Sequence, residues 1–345
     1  MQHKILERHP LLDEKGEVIE AGYSNSLILD YDRNQIKASK WRIKEWDYYL
    51  ISNGRYAIAL TIADNSYMGL DSISFLDLGE KPWQQTISKM QAFTFGRKNF
   101  PKTSEIGNVS SKGKKHSLEF LNDGNRRILK FEMENFIDKK PIKGVFELQT
   151  LNDDSMVIVI PYKEDKKAFY YNQKLNCIPT YGKVEIGDEI IEFNKEDTFA
   201  VLDWGRGVWL RKGVWYWGSC STLLEGERFG FNIGYGFGDT SAASENMIFY
   251  KGKAHKLDQI EIHIPKNQKN NYDYMKTWKV TSSDKRFEMT FEPIIDRSAN
   301  LNVLIIGSNQ HQVFGKISGT CILDDGKVLE IKDAVCFIER LVNKW

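Results

Sequence analysis

Apolar and polar residues alternate one for one along much of this chain. The runs 56–62 (YAIALTI), 145–149 (VFELQ), 260–264 (IEIHI) and 285–291 (KRFEMTF) each put apolar side chains on one face and polar or small ones on the other. That is the pattern of half-buried antiparallel strands, whereas the three-to-four-residue spacing of amphipathic helices is scarce. Between the runs stand turn signals: Ser52-Asn53-Gly54, Asn122-Asp123-Gly124-Asn125, Ile186-Gly187-Asp188 and Asp324-Asp325-Gly326. They supply the positive φ angles that tight hairpins require. Many short strands with regular turns predict an all-β chain folded as antiparallel barrels or curved sandwiches.

The pattern repeats. A tryptophan-bearing strand, Glu45-Trp46-Asp47-Tyr48-Tyr49, precedes Arg55 and the 56–62 run, and Val214-Trp215-Tyr216-Trp217 precedes Arg228 and 229–235 (FGFNIGY). With Arg55 set on Arg228, the apolar positions Tyr56, Ile58, Leu60 and Ile62 fall on Phe229, Phe231, Ile233 and Tyr235. The small positions Ala57, Ala59 and Thr61 fall on Gly230, Asn232 and Gly234. The ends of the halves echo each other too: 182–193 resembles 319–331, with Gly182 opposite Gly319 and Gly187-Asp188 opposite Asp325-Gly326. This is an internal duplication, expected as an N-terminal β domain over 1–195 and a C-terminal one over 196–345. The small face of the second copy is expected to line a cavity, with Asn232 orienting a ligand; close packing against another element accounts for the same glycines.

Composition narrows the function. The 345 residues carry 48 Lys and Arg against 47 Asp and Glu, a net charge of +1, and no basic stripe of the kind nucleic-acid binding needs. No apolar run is long enough for a membrane helix, and the start of the chain lacks the apolar core of a secretory signal. Cys177, Cys220, Cys321 and Cys336 show no metal-ligand spacing and read as reduced thiols of a cytoplasmic protein.

The densest chemical signal lies at the junction. Asp203-Trp204-Gly205-Arg206 follows an apolar strand, and Trp204, Trp209, Trp215 and Trp217 crowd the same stretch. A carboxylate where water is scarce is either paired or raised in pKa, and either state can serve proton transfer. Arg206 is the nearest candidate to hold Asp203; a purely structural Asp–Arg pair explains the same residues. Further along, Ser244-Glu245-Asn246 and His255-Lys256-Leu257 flank a strand and turn. Glu245 and Asn246 can line a pocket mouth and His255 can act as acid or base, or the segment is a hairpin with polar ends.

The run 202–209 (LDWGRGVW), with Trp215-Tyr216-Trp217, Gly230-x-Asn232-x-Gly234, Ser244-Glu245-Asn246, Phe314-Gly315-Lys316 and the terminal Glu339-Arg340-(x)4-Trp345, resembles the domain-of-unknown-function 2804 family over nearly the whole chain. More distantly, the layout is similar to tandem lipocalin-like (calycin-type) proteins: carotenoid 1,2-hydratases, tocopherol cyclases and lipocalin-like Diels–Alderases. That resemblance implies two tandem lipocalin-like barrels and chemistry on apolar or polycyclic substrates between them, without metal or organic cofactor. Carotenoid hydratases carry an acid beside an aromatic where Asp203-Trp204 stands, although this chain departs from them in Gly205-Arg206-Gly207.

The reading that follows is a hydratase, isomerase or cyclase acting on a largely apolar or amphipathic small molecule near the junction. Asp203, Arg206, Glu245 and His255 form its catalytic set. Trp204, Trp209, Trp215, Trp217, Arg228, Asn232 and Asn246 form its substrate-binding set, the tryptophans offering an electron-rich wall to a developing cation. Two rivals stand beside it: a non-catalytic lipid or polyketide binder, and a carbohydrate-binding or carbohydrate-cleaving protein using Asp203 with Glu245.

Overall fold

A computed structural model describes residues 2–303 and 306–344; Met1 and Trp345 of the sequence reading lie outside them. Two large antiparallel sheets carry the fold, and the described residues include only two helical turns, the three-residue 3-10 segments Arg33–Gln35 and Lys40–Arg42. None of this helix is long and apolar enough to cross a membrane.

Across its hydrogen bonds the first sheet runs Trp83–Ala92, Met68–Asp77, Tyr56–Asp64, Ile43–Ser52, Phe199–Val208, Asp165–Ile186, Lys140–Gln149, Arg126–Ile137, His116–Asn122 and Val109–Lys112. The second runs Lys253–Lys256, Met247–Tyr250, Glu227–Tyr235, Lys212–Leu224, Val328–Lys344, Ile306–Ile322, Phe287–Val303, Trp278–Ser282 and Ile260–His263. The two orders match over nine places, and the first sheet adds Val109–Lys112 at its far edge. In each, a meander of four strands is joined through its first strand to the last strand of the half, and a second meander continues beyond. Arg55 and Arg228 introduce equivalent strands, as the repeat requires. The echo at the ends is structural as well: 182–186 pairs with 189–193, and 319–322 with 328–331. The chain is thus a tandem, lipocalin-like duplication of two curled sheets.

Drawn by sheet, the halves part at 209–211 and not at 195/196. Phe199–Val208 pairs with Ile43–Ser52 and Asp165–Ile186 along its length, so it completes the first sheet before the chain crosses over.

Period two decides what each face meets. Ile58, Leu60 and Ile62 enter the core of the first barrel, and Phe229, Phe231 and Ile233 that of the second. The small faces look toward the opposite half, where Ala57 and Ala59 pack with Val201, Trp217, Phe314 and Phe337 between the sheets. A buried polar network helps curl the first sheet closed. Lys98 Nζ donates to Asp71 Oδ1 (2.6 Å) and Ser111 Oγ to Asp71 Oδ2 (2.7 Å), with His116 Nε2 3.0 Å from the same oxygen.

The expectation that Gly230, Asn232 and Gly234 line a cavity is not met. A Cβ on Gly230 would overlap the Cys220 carbonyl and lie 2.6 Å from Cys177 Sγ; one on Gly234 would lie 2.5 Å from Glu245 Oε1. These glycines admit the neighbouring elements, so close packing is their reason. Gly230→Ala should therefore cost about 1–3 kcal/mol by overpacking a face that a backbone carbonyl bounds. Gly213→Ala, whose Cβ would meet only the Trp215 ring at 3.7 Å, should stay within about 0.5 kcal/mol of wild type. Urea denaturation of the two variants measures both, and equal stabilities would refute the packing account.

Candidate functional site

Where the outer faces of the two sheets meet, they leave a cavity of about 460 Å3. Its walls come from both halves: Trp46, Tyr48, Thr61 and Leu70 of the first, and Trp215, Trp217, Gln312 and Glu339 of the second. Thr61 and Ala63, the first-half counterparts of Gly234 and Gly236, line it. The cavity therefore lies against the small face of the first copy, while the second copy's face is filled by Glu245 and by the strand Asp165–Ile186.

Asp203 reaches this cavity from the middle of Phe199–Val208 and is 7% exposed. Its Oδ1 accepts from Asn172 Nδ2 (2.6 Å) and Lys174 Nζ (2.7 Å), and its Oδ2 from Trp46 Nε1 (3.0 Å). The ammonium of Lys174 lies over the Trp217 ring, 4.0 Å from its centroid. Lys174 is thus the counter-charge of Asp203.

Arg206 is not. Three residues along a strand reverse the facing direction, so Arg206 points into the first barrel, where it donates to Asp47 Oδ1 (3.0 Å) and lies over the rings of Trp204 and Phe100. Trp204 shares that inner face, packed edge-on against Tyr31 and Tyr171, and contributes no cavity wall.

The duplication supplies a second carboxyl that sequence reading did not assign. Tyr48 stands in register with both Asp203 and Thr61, and Trp217 with both Glu339 and Gly234. Glu339 is therefore the counterpart of Asp203, and Gln312 that of Lys174, since each pairs in register with its carboxyl. The indole bond is repeated as well: Trp215 Nε1 donates to Glu339 Oε1 (3.2 Å) as Trp46 does to Asp203. The other Glu339 oxygen accepts from Gln310 Nε2 (3.1 Å) and Gln312 Nε2 (3.3 Å). At 5% exposure, with only neutral donors in contact, burial raises its pKa above the usual carboxylate range.

An aromatic wall joins the two centres. Trp209 packs edge-on against Trp46 (5.2 Å) and Trp215 (5.1 Å), and Phe237 stacks on Tyr170 at 4.2 Å. Tyr170 lines the cavity with a buried hydroxyl that has no protein partner, and the Trp209 Nε1 is likewise unmatched.

The other expected residues stand elsewhere. Glu245 lies behind the wall: Asn232 Nδ2 donates to its backbone carbonyl (2.8 Å), while Asn232 Oδ1 accepts from Trp217 Nε1 (2.7 Å). Asn246 uses both ends of its amide on backbone, accepting from Gly234 N and donating to the Asp258 carbonyl. His255 sits beside Asp324, with its Nδ1 3.2 Å from the Asp324 amide, and Arg228 is paired with Asp153. All five are built into packing or hairpin structure and contribute no wall to the cavity, although one buried Glu245 oxygen keeps no protein partner. The carbohydrate reading needed Asp203 and Glu245 across one substrate, and Glu245 does not line the cavity. Among the described residues no group of His, Cys, Asp and Glu side chains comes together in a metal-ligating arrangement, and all four cysteines are free and buried.

The profile described as a domain of unknown function (DUF2804) matches residues 2–345. The chain belongs to that family. Among solved structures it is similar to kievitone hydratase from Nectria haematococca, with a TM-score of 0.54, 11% identity and 98% of each chain covered. It is also similar to a candidate AttH from Nitrosomonas europaea, with a TM-score of 0.51, 11% identity, and 96% of this chain and 98% of that one covered. At such identities the likeness is one of fold. No curated protein matches by sequence.

Two outcomes test the electrostatics. Lys174→Met strips a buried carboxylate of its counter-charge and should cost about 3–5 kcal/mol, read from a urea titration; a loss below about 1 kcal/mol would mean the pair does not hold the junction. Glu245 is pushed up to about 7, first by burial and then by the Asp203 charge, against the lowering effects of Lys174, Asn232 and Lys256. The folded protein then keeps a proton that the unfolded chain releases near pH 4.5. The contribution of this group to stability is full below that pH, falls as pH rises toward about 7, and is level above it. Glu245→Gln should flatten that slope, worth up to ~3 kcal/mol, in denaturation curves taken across pH 4–8.

Proposed function

We propose that this chain is an acid–base enzyme of the hydratase, isomerase or cyclase type, acting on a largely apolar small molecule held between the two sheets. One observation carries the reading: two carboxyl groups open on one aromatic-walled cavity in contrasting electrostatic settings. Asp203 accepts from three donors including Lys174, as an ionised carboxylate does, and serves as base. Glu339, raised by burial and touched by neutral groups, keeps its proton longer and serves as acid. A carboxylate held by an ammonium and a buried carboxyl among neutral donors can divide base and acid roles in this way.

In a hydration, the water oxygen bonds to one alkene carbon as Asp203 takes its proton, and Glu339 delivers a proton to the neighbouring carbon. Lys174 keeps the Asp203 oxygen in place, and Trp209, Trp215 and Trp217 shield positive charge that develops on the substrate. The likeness in fold to kievitone hydratase supports this class of reaction without naming the substrate.

The test begins by identifying, through mass spectrometry, the compound that co-purifies from the native host, and then follows its turnover. Glu339→Gln, which keeps shape, should lower turnover by about 10²–10⁴-fold with Kd near the wild-type value. Asp203→Asn combined with Lys174→Met removes the ion pair together, leaves no lone buried charge, and should do the same. Tight binding with no turnover by the wild type, or turnover unchanged in both variants, would refute the proposal in favour of a sequestering protein.

A further inference from the structure

At one end of the molecule the strands Ile43–Ser52, Met68–Asp77, Asp165–Ile186 and Lys212–Leu224 begin, and Tyr56–Asp64, Phe199–Val208 and Val328–Lys344 finish. This is the end at which the inter-sheet cavity is lined by Lys44, Asn65, Tyr67 and Asn343. A second cavity of about 340 Å3 lies beside it, lined by Tyr162, Lys163 and Lys212, and the two share Trp209, Trp215, Phe237 and Asn343.

The surface around these openings is unusual in three respects. It carries large apolar side chains in water: Trp41, Phe93 and Met90 are 52%, 56% and 58% exposed. Trp41 meets Phe95 and Phe93 edge-on, at 4.9 and 6.0 Å between ring centroids, so they form one cluster. Met90 extends it into the cavity wall.

Second, the backbone is bent to present it. Phe93 and Phe95 adopt φ of 56° and 47°, a region bulky residues rarely adopt and one that costs energy to hold. The Arg97 guanidinium fastens the turn through the Phe93 carbonyl (2.5 Å) and the Thr94 carbonyl (3.2 Å).

Third, the cluster is ringed by positive charge. No Asp or Glu occurs from 33 to 44 or from 81 to 104. Lys40 and Arg97 flank the aromatics, and the adjoining turns expose Lys163, Lys166, Lys167, Arg211 and Lys212. Of the acids in those turns, Asp165 is paired with Arg42 and Asp239 with Lys163, leaving Glu164. In a chain whose net charge is +1, this end is markedly cationic.

Exposed tryptophan and phenylalanine within a ring of lysine and arginine match the layered chemistry of an anionic bilayer surface: an apolar interface beneath negative headgroups. We propose that this end docks reversibly on anionic membranes, so that an apolar ligand passes between bilayer and inter-sheet cavity without crossing bulk water. The docking does not depend on the catalytic reading, and the Glu339→Gln protein should bind membranes as wild type does.

The probe is co-sedimentation with vesicles of equal parts phosphatidylglycerol and phosphatidylcholine, beside vesicles of phosphatidylcholine alone. The wild type should sediment with the anionic vesicles, release in high salt, and bind the neutral ones at least tenfold more weakly. Trp41→Ser with Phe93→Ser, and separately Lys166→Glu with Lys167→Glu and Lys212→Glu, should each weaken anionic binding at least about tenfold, the effect of losing one or two contacts of this kind. Both sets lie at the surface, and unchanged melting temperatures confirm their folds. Absence of wild-type binding, or retention by both variants, overturns the proposal. So does a concentration-dependent dimer that Trp41→Ser with Phe93→Ser dissolves while vesicle binding is absent, which would assign the patch to a second copy of the chain.

Discussion

Burial on both faces of the junction strand is the constraint from which the rest of the structure follows. All ten residues of Phe199–Val208 are buried, because one face closes the first barrel and the other meets the second sheet. A strand in that position cannot send a polar side chain to water on either side, so each charge needs a partner inside the protein. Arg206 finds Asp47 on the barrel side, and Asp203 finds Lys174 on the junction side. The two ion pairs are back to back across one strand, and together they fix which residues can reach the cavity.

The same constraint explains why the apolar clusters among the described residues are four and not two. Each barrel has its own core, and the outer faces form two more clusters around Tyr170 and Phe237 and around Trp217 and Phe337. The cavity survives between these because Tyr48, Trp46, Trp215 and Trp217 are rigid and large, and their polar tips are already engaged by Gln312, Asp203, Glu339 and Asn232. Rings anchored at both ends do not collapse into a void as flexible aliphatic chains would.

Much of the fold was legible in the sequence because period-two alternation and turn residues are local signals, and because Arg55 and Arg228 aligned one strand of each copy without a gap. The assignment of the small face failed since glycine reports a close neighbour and not whether that neighbour is ligand or protein. Pairing Asp203 with Arg206 ignored the strand's own alternation, which was available to read. Lys174 was out of reach: its contact with Asp203 depends on register across a strand broken by an irregularity between Leu175 and Ile178. Glu339 lay inside a quoted motif, yet the connection 194–198 is longer than its second-half counterpart at 332–334, and that offset hid its match to Asp203.

Two copies of one β unit facing each other would enclose a site with two-fold symmetry, and such a site cannot tell one end of an elongated guest from the other. Here the symmetry is kept by the indoles of Trp46 and Trp215 and broken at several paired positions, most sharply in charge where Lys174 in the first copy answers to Gln312 in the second. That difference in charge gives the cavity a direction. A guest turned end for end would bring its electron-rich group to an amide in place of an ammonium, and only one of its two faces would meet Asp203. On the proposed reading, regiochemistry and handedness of a product would follow from the divergence of the repeats, not from the shape of the barrels that carry them.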